Sequence, residues 1–310
     1  MGRRRSKGLA INGWINLYKD LDMTSAHAVA VVKKLTNAAK VGHGGTLDPM
    51  ATGVLPIALG EATKLVPYVM DQAKTYEFTV KWGEERDTDD QEGEVTQTSD
   101  ARPTLDEIDA LLPNFTGVID QVPPTFSAIK IDGERAYDLA RAGKKVEIPA
   151  RPVEIFEFTR VNDDVNETRF AVKCGKGTYV RALARDLGRE LGCYGHISTL
   201  SRTRVGGLKA EDAISLDVLG ELRNKAASLD EVLQPMATAL DDIPALTLVM
   251  EEARRVKSGQ TIKHRGVPDG LICLKHGGDV IALAEAKSGI IKPVRVFNIQ
   301  MKENVDVGNC

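Results

Sequence analysis

The segment Thr178–Leu191 carries two helical periodicities at once, and any fold of this chain has to satisfy both. Val180, Leu183, Ala184, Leu187 and Leu191 recur at the spacing of one helix face, which must be buried. Arg181, Arg185 and Arg189 recur every four residues and line a second face. The spacing predicts an amphipathic helix from about Thr178 to Leu191, stopped by Gly192. Acidic partners are scarce nearby: between Lys173 and Lys209 eight basic residues stand against two acids, leaving +6. From Glu84 to Glu94 seven acids face one arginine, leaving −6. The overall net charge of −3 therefore conceals a chain that is dipolar along its sequence. A basic surface able to engage phosphates is compatible with it, and so is a plain solvated stripe.

Other elements read locally. Thr24-Ser25 ahead of Val29, Val32 and Leu35 predicts a capped amphipathic helix. Strict alternation puts Tyr76, Phe78, Val80 and Trp82 on one face of a strand, and Phe170, Val172 and Cys174 suggest another. Thr104-Leu105-Asp106-Glu107 is a capping box that opens a helix through Leu111-Leu112. The Gly-rich segment Val41–Pro56 is expected to be irregular. Helix-forming polar sequence from Leu216 to about Leu240 is expected to link the main body to a C-terminal module, where Gly277-Gly278 predicts a tight hairpin. Strands and helices mix without βαβ alternation, so the class is α+β. A length of 310 residues suggests a main domain over 1–240 and a smaller one over 241–310.

Composition excludes several classes. Apolar and charged fractions of 42% and 27% are those of an ordinary globular chain. No apolar run approaches the ~18 residues of a membrane span, and the Arg-rich start reads as a flexible basic arm over 1–10 rather than a secretory signal. Met1-Gly2…Ser6 fits the myristoylation template, a pattern too short to carry weight. Cys174, Cys193, Cys273 and Cys310 are scattered without a CxxC pair, which suggests neither zinc nor disulfides and fits a reducing cytoplasm.

The most unusual stretch is Gly42-His43-Gly44-Gly45-Thr46-Leu47-Asp48-Pro49-Met50-Ala51-Thr52-Gly53. It is neither a dinucleotide fingerprint nor a P-loop. Pro49 biases Asp48 toward an extended backbone, and glycines let a chain pass close to a ligand. A tight turn with Asp48 as a local cap reads equally well from residue chemistry. The run Asp87–Gly93 is no EF-hand, because Glu92 stands where a glycine is required. It reads as a solvated loop. No HxxxH spacing or GxSxG elbow occurs.

Four ordered blocks resemble the TruB family of bacterial tRNA pseudouridine-55 synthases. They are Gly42–Pro56; Gln121-Val122-Pro123-Pro124…Phe126–Lys130 with Gly133…Arg135-Ala136-Tyr137…Arg141; Lys176–Gly188; and Leu200–Gly207. The C-terminal stretch Ile281–Glu285 to Lys292–Phe297 is similar, more loosely, to the family's PUA-like RNA-binding module. Two departures stand out. Gly44 replaces a usual threonine, and Tyr18-Lys19-Asp20-Leu21-Asp22-Met23-Thr24-Ser25 keeps only Lys19, Thr24 and Ser25 of the usual Asp-Lys-Pro-x-Gly-x-Thr-Ser.

The resemblance implies a mixed, largely antiparallel catalytic sheet of pseudouridine synthase type with a small PUA-like β domain. It implies isomerisation of uridine 55 in the tRNA T loop on a flipped-out base, with Asp48 as nucleophile or base, Arg181 as its cationic partner and Tyr76 stacking on the target base. His43, Lys19, Leu200 and Tyr179 would touch substrate, and the basic residues Arg185, Arg189 and Arg202 would contact RNA. No metal or organic cofactor is implied, nor a membrane or an obligatory protein partner, and a cytoplasmic monomer acting on the T-arm is expected. Two rival readings are an RNA-binding or RNA-folding protein of the same fold without catalysis, and a metal-dependent phosphoesterase built on Asp87–Glu92. Pseudouridine formation on a T-arm hairpin and activity in EDTA separate them.

Overall fold

The computed structural model describes residues 8–127, 129–131, 133–142, 148–225, 228–241 and 243–300. Most of the proposed basic arm, and Cys310, lie outside them.

A ten-stranded sheet organises the larger part of the chain. Its main path runs Leu233–Gln234, Gly13–Lys19, Ala51–Leu59, Gly195–Val205, Lys74–Trp82, Glu167–Cys174, Arg151–Arg160, Gly117–Gln121, with Val41–His43 and Leu208–Lys209 attached at the side. Within it only Ala51–Leu59 beside Gly195–Val205 is parallel, so the sheet is mixed and largely antiparallel. The alternation of Lys74–Trp82 is realised: Phe78, Val80 and Trp82 are buried, Tyr76 is half-buried, and Glu77 and Lys81 are exposed. Phe78 and Phe170 stack with ring centroids 5.5 Å apart, and Trp82 Nε1 donates to Thr168 Oγ1. The helix Val180–Glu190 lays Val180, Leu183, Ala184 and Leu187 on this face. Gly192 follows with φ 67, the left-handed stop that the sequence announces. Thr24 caps the helix Ser25–Thr36, and Thr104 and Glu107 complete their reciprocal box.

Two expectations fail. Val41–Pro56 is irregular only in its middle: Val41–His43 is a strand, and Ala51–Leu59 is a buried central one. Gly53 makes that strand possible, because at φ 103 a Cβ would sit 2.2 Å from the Arg202 carbonyl oxygen of its parallel neighbour. The span Leu216–Leu240 does more than link. After the helix Leu216–Asn224 it returns as Leu233–Gln234 to pair with Trp14 and Ile15 at the sheet edge.

A five-stranded sheet follows, ordered Ala245–Thr247, Gly270–His276, Asp279–Lys287, Ile290–Val296, Ile262–Lys263. Its hairpin turns at Gly277-Gly278 with φ 57 and 85, the conformation that only glycine adopts cheaply twice in succession. Cys273, Leu283 and Phe297 of this part share an apolar cluster with Trp14, Val54, Ala58 and Val69. No helix among the described residues is long and apolar enough to cross a membrane. Cys174, Cys193 and Cys273 are buried free thiols.

Candidate active site

The loop from Gly44 to Met50 is fastened on three sides by side chains that spend their donors on its backbone. Ser25 Oγ accepts from the Leu47 amide at 2.9 Å and donates to the Leu47 carbonyl at 3.0 Å. Lys19 Nζ donates to the carbonyls of Asp20, Met23 and Pro49 at 2.8, 2.7 and 3.1 Å. Arg202 donates to the carbonyls of Val54 and Gly45 at 2.8 and 3.0 Å, with a longer reach of 3.4 Å to Thr46. Lys19 and Arg202 are 0% and 2% exposed. Both were expected to touch substrate. They are instead enclosed anchors, and burial pulls the Lys19 ammonium below its ordinary pKa.

The family departures fit this frame. Asp22 takes φ 58, and aspartate is among the few residues that replace glycine there at small cost. Gly44 leaves no room for a side chain, since a Cβ would come within 2.7 Å of Val69 Cγ1.

The loop presents Asp48, whose side chain is 39% exposed, to the N-terminal end of the arginine helix. Arg181 Nε lies 3.0 Å from Asp48 Oδ2, and its own side chain is only 6% exposed. The remaining donors are fixed: Nη1 donates to the Thr88 carbonyl at 2.7 Å and lies 3.3 Å from Asp90 Oδ2, while Nη2 donates to the Phe126 carbonyl at 3.0 Å. The anion is thus open and the cation enclosed. Such an arrangement orients one carboxylate oxygen and leaves the group accessible.

Tyr76 stands opposite Arg202 in strand register, and burial raises its phenol above the ordinary range, keeping it neutral. Leu200, 7% exposed, faces Ala51 and Phe78 from the neighbouring strand. His43 ends the short strand leading into the loop. Burial, and then Arg202, lower its pKa, and its Nδ1 is buried without a hydrogen-bond partner. Tyr179 is held at its backbone by the Gln121 side chain, which donates to its carbonyl at 3.1 Å and accepts from its amide at 2.8 Å. The Arg151 guanidinium lies 5.2 Å from its ring centroid.

Two readings of charge are overturned together. The run Asp87–Gly93 is solvated only in part: Asp87, Gln91 and Glu92 are exposed, but Asp89 and Asp90 are buried, as is Glu85 just ahead of it. It folds against the arginine helix, so the stripe that looked unpartnered is paired throughout. Arg185 Nη1 meets Asp89 Oδ2 at 3.0 Å and its Nε meets Asp186 at 2.8 Å, while Nη2 donates to the Val122 carbonyl. Arg189 meets Glu85 in two-pronged fashion at 2.6 and 2.8 Å. Unpaired charge was the reason to read Arg185 and Arg189 as phosphate contacts, and that reason is gone. Among the described residues no group of three or more His, Cys, Asp or Glu side chains is arranged to hold a metal ion.

Comparison with known proteins shows what the whole chain is similar to. Residues 33–180 match the TruB family pseudouridylate synthase (N terminal domain), and residues 181–241 match the tRNA pseudouridylate synthase B C-terminal domain. The chain is 56% identical over 298 residues to tRNA pseudouridine synthase B of Bradyrhizobium diazoefficiens, covering 93% of this chain and 86% of that protein. It is 50% identical to the protein of the same name from Caulobacter vibrioides, over 96% and 99% of the two chains. Among solved structures, a chain in the crystal structure of a Cbf5-Nop10-Gar1 complex superposes with a TM-score of 0.71 at 27% identity, covering 92% of this chain and 84% of that one.

Proposed function

The chain belongs to the TruB family of pseudouridylate synthases, and we propose that within tRNA it isomerises uridine 55 of the T loop, with Asp48 as the catalytic carboxylate. The reaction breaks a glycosidic C–N bond, turns the freed uracil and closes a C–C bond at the same ribose. Nothing is oxidised and no group is imported, so one carboxylate able to act as nucleophile or base is the chemical minimum. The observation that carries the reading is the 3.0 Å pair between Arg181 Nε and an Asp48 carboxylate that stays 39% exposed on a loop anchored by Ser25, Lys19 and Arg202. Arginine keeps its charge when buried, so it supports the ionised carboxylate as a seated base strips water from the site.

A half-buried, neutral Tyr76 suits stacking on the extruded uracil, with Leu200 as apolar wall and Tyr179 beside it. Extrusion costs about a few kcal/mol, and the half-buried imidazole of His43 is suited to fill the vacated stack. Lys19 and Arg202 act through the loop they hold. The five-stranded sheet beyond residue 240 serves as a PUA-like RNA-binding module, and the enzyme works as a cytoplasmic monomer on the T-arm without a bound metal or organic cofactor. Incubation with unmodified tRNA followed by mapping of pseudouridine tests the assignment. Modification at position 55 by chelator-stripped, desalted protein is expected; no pseudouridine, or modification elsewhere, overturns it.

A further inference from the structure

The acidic loop meets the arginine helix rung by rung. Arg181 faces Asp90, Arg185 faces Asp89 and Arg189 faces Glu85, at 3.3, 3.0 and 2.6 Å. Only the first rung reaches Asp48. We propose that the two outer rungs, Arg185–Asp89 and Arg189–Glu85, are positioning pairs that clamp the acidic loop where its Thr88 carbonyl and Asp90 carboxylate orient the Arg181 guanidinium on Asp48. The inference rests on the catalytic reading of Asp48 and Arg181 given above.

The tip of the loop closes on itself, with Asp87 Oδ1 accepting from the Glu94 amide at 2.9 Å and Arg86 Nη1 donating to the Gly93 carbonyl at 3.0 Å, but it has few bonds to the large sheet. Near the tip its backbone bonds to that sheet run through Ile197, which donates to the Asp89 carbonyl and accepts from the Gln91 amide, and further down the Glu84 carbonyl lies 3.0 Å from His196 Nδ1. Asp90 Oδ1 is occupied by the Thr88 hydroxyl at 2.6 Å and the Glu92 amide at 3.1 Å, which leaves Oδ2 for Arg181. Asp89 takes φ 61, a left-handed turn that aspartate adopts more readily than most residues with a side chain. With that turn two consecutive carboxylates serve consecutive rungs of one helix, where an extended chain would send them to opposite sides. Each of the three guanidinium nitrogens of Arg185 donates inside the protein, and its side chain is 8% exposed. A residue so enclosed has little left to offer a phosphate. It can, however, fix a loop.

Asp89 adds a signature that a passive pair lacks. Burial pushes its carboxyl up to about 7, against the pull of Arg185 and Arg181 and with Asp186 and Glu85 adding to the rise. The Arg185–Asp89 rung therefore gains its full charge as pH rises through about 7.

The test uses the full-length protein with unmodified tRNA: Asp89→Asn, Arg189→Glu, and the exchange Glu85→Arg with Arg189→Glu. Single-turnover rate at saturating tRNA, tRNA affinity at several salt concentrations and thermal midpoint are measured for each. For Asp89→Asn and Arg189→Glu a loss of about tenfold in rate is expected, with affinity within about twofold and an unchanged salt slope. The exchange should recover most of the rate lost by Arg189→Glu. The wild-type rate should rise through pH 7, and Asp89→Asn should stay flat there. Unchanged rates, weakened binding with a shallower salt slope, or losses that vanish at temperatures where every variant is folded would each overturn the proposal. An inactive wild type would instead sink the catalytic reading, and that control is run first.

Discussion

Replacing Arg181 by lysine keeps the charge and removes the geometry, which makes it the sharpest probe of the site. The guanidinium now serves four oxygens: Asp48 at 3.0 Å, Thr88 at 2.7 Å, Asp90 at 3.3 Å and Phe126 at 3.0 Å. They lie around a planar fork, and one ammonium cannot reach them all. If the ammonium follows the carboxylates, the Thr88 and Phe126 carbonyls lose their donor. A buried unsatisfied group costs about 1–3 kcal/mol, so the variant should be less stable by about 2–6 kcal/mol. If it stays with the carbonyls instead, the charge-assisted bond to Asp48, worth about 1.5–3 kcal/mol, is lost and turnover slows by about 10- to 150-fold. Single-turnover pseudouridine formation at saturating tRNA, below the variant's unfolding range, gives the rate; urea titration gives the stability. A lysine variant within about threefold of wild type in rate, with unchanged stability, would refute the idea that this fork orients Asp48.

Other outcomes follow from the same geometry. Asp48→Asn should bind tRNA as wild type does and form no pseudouridine, read by filter binding and by mapping; measurable turnover removes Asp48 from the catalytic role. Lys19→Met should lower stability by at least about 1–3 kcal/mol, because three backbone carbonyls lose one shared donor. Its turnover should fall more than its affinity, because the Pro49 carbonyl beside Asp48 is released. Asp89 makes a prediction about pH. Its folded pKa, about 7, lies above the ordinary 3.8, so its contribution to stability is fully present below the unfolded pKa and is lost as pH rises through 7. Relative to Asp89→Asn, wild type should lose up to about 1.4 kcal/mol per pH unit between roughly pH 4 and 7; parallel urea midpoints for the two proteins would count against it.

How much of this was legible in the chain depended on distance along it. The Tyr76–Trp82 strand, the Thr104 box, the Gly277-Gly278 hairpin and the arginine helix are each written in a few consecutive residues, and each is present. Ala51–Leu59 was misread because it lies between two neighbouring strands and is buried on both faces. Such a strand shows a continuous apolar run, here Val54 to Leu59, and the glycines before it suggested a loop. The pair at Leu233–Gln234 is two residues of edge strand with no pattern to find. Asp48 and Arg181 were named through resemblance, since spacing alone left Asp48 as a turn cap. The acidic loop was the largest miss. The run Asp87–Gly93 reads as solvated because the partner of its buried Asp89 is 96 residues away in Arg185, just as that of neighbouring Glu85 is 104 away in Arg189. A signal did exist: an excess of −6 and an excess of +6 in one chain, the second laid out at helical spacing.

Burying that complementarity is not the stable choice, and the difference says what it is for. Two charges taken from water together often repay no more than a well-packed apolar pair would. At Asp89 burial outweighs the pull of Arg185 and Arg181 and pushes the carboxyl up to about 7. An apolar pair would hold the loop to the helix as firmly, but it has no direction. The Arg181 fork needs direction, since the Thr88 carbonyl and the Asp90 carboxylate both have to arrive within reach of Nη1 while Nε faces Asp48. Rungs that are themselves directional fix the loop along the helix axis as well as against it, because a slip of one residue would set carboxylates beside the apolar stripe. Stability given up in burying the Asp89 carboxyl is then the cost of register.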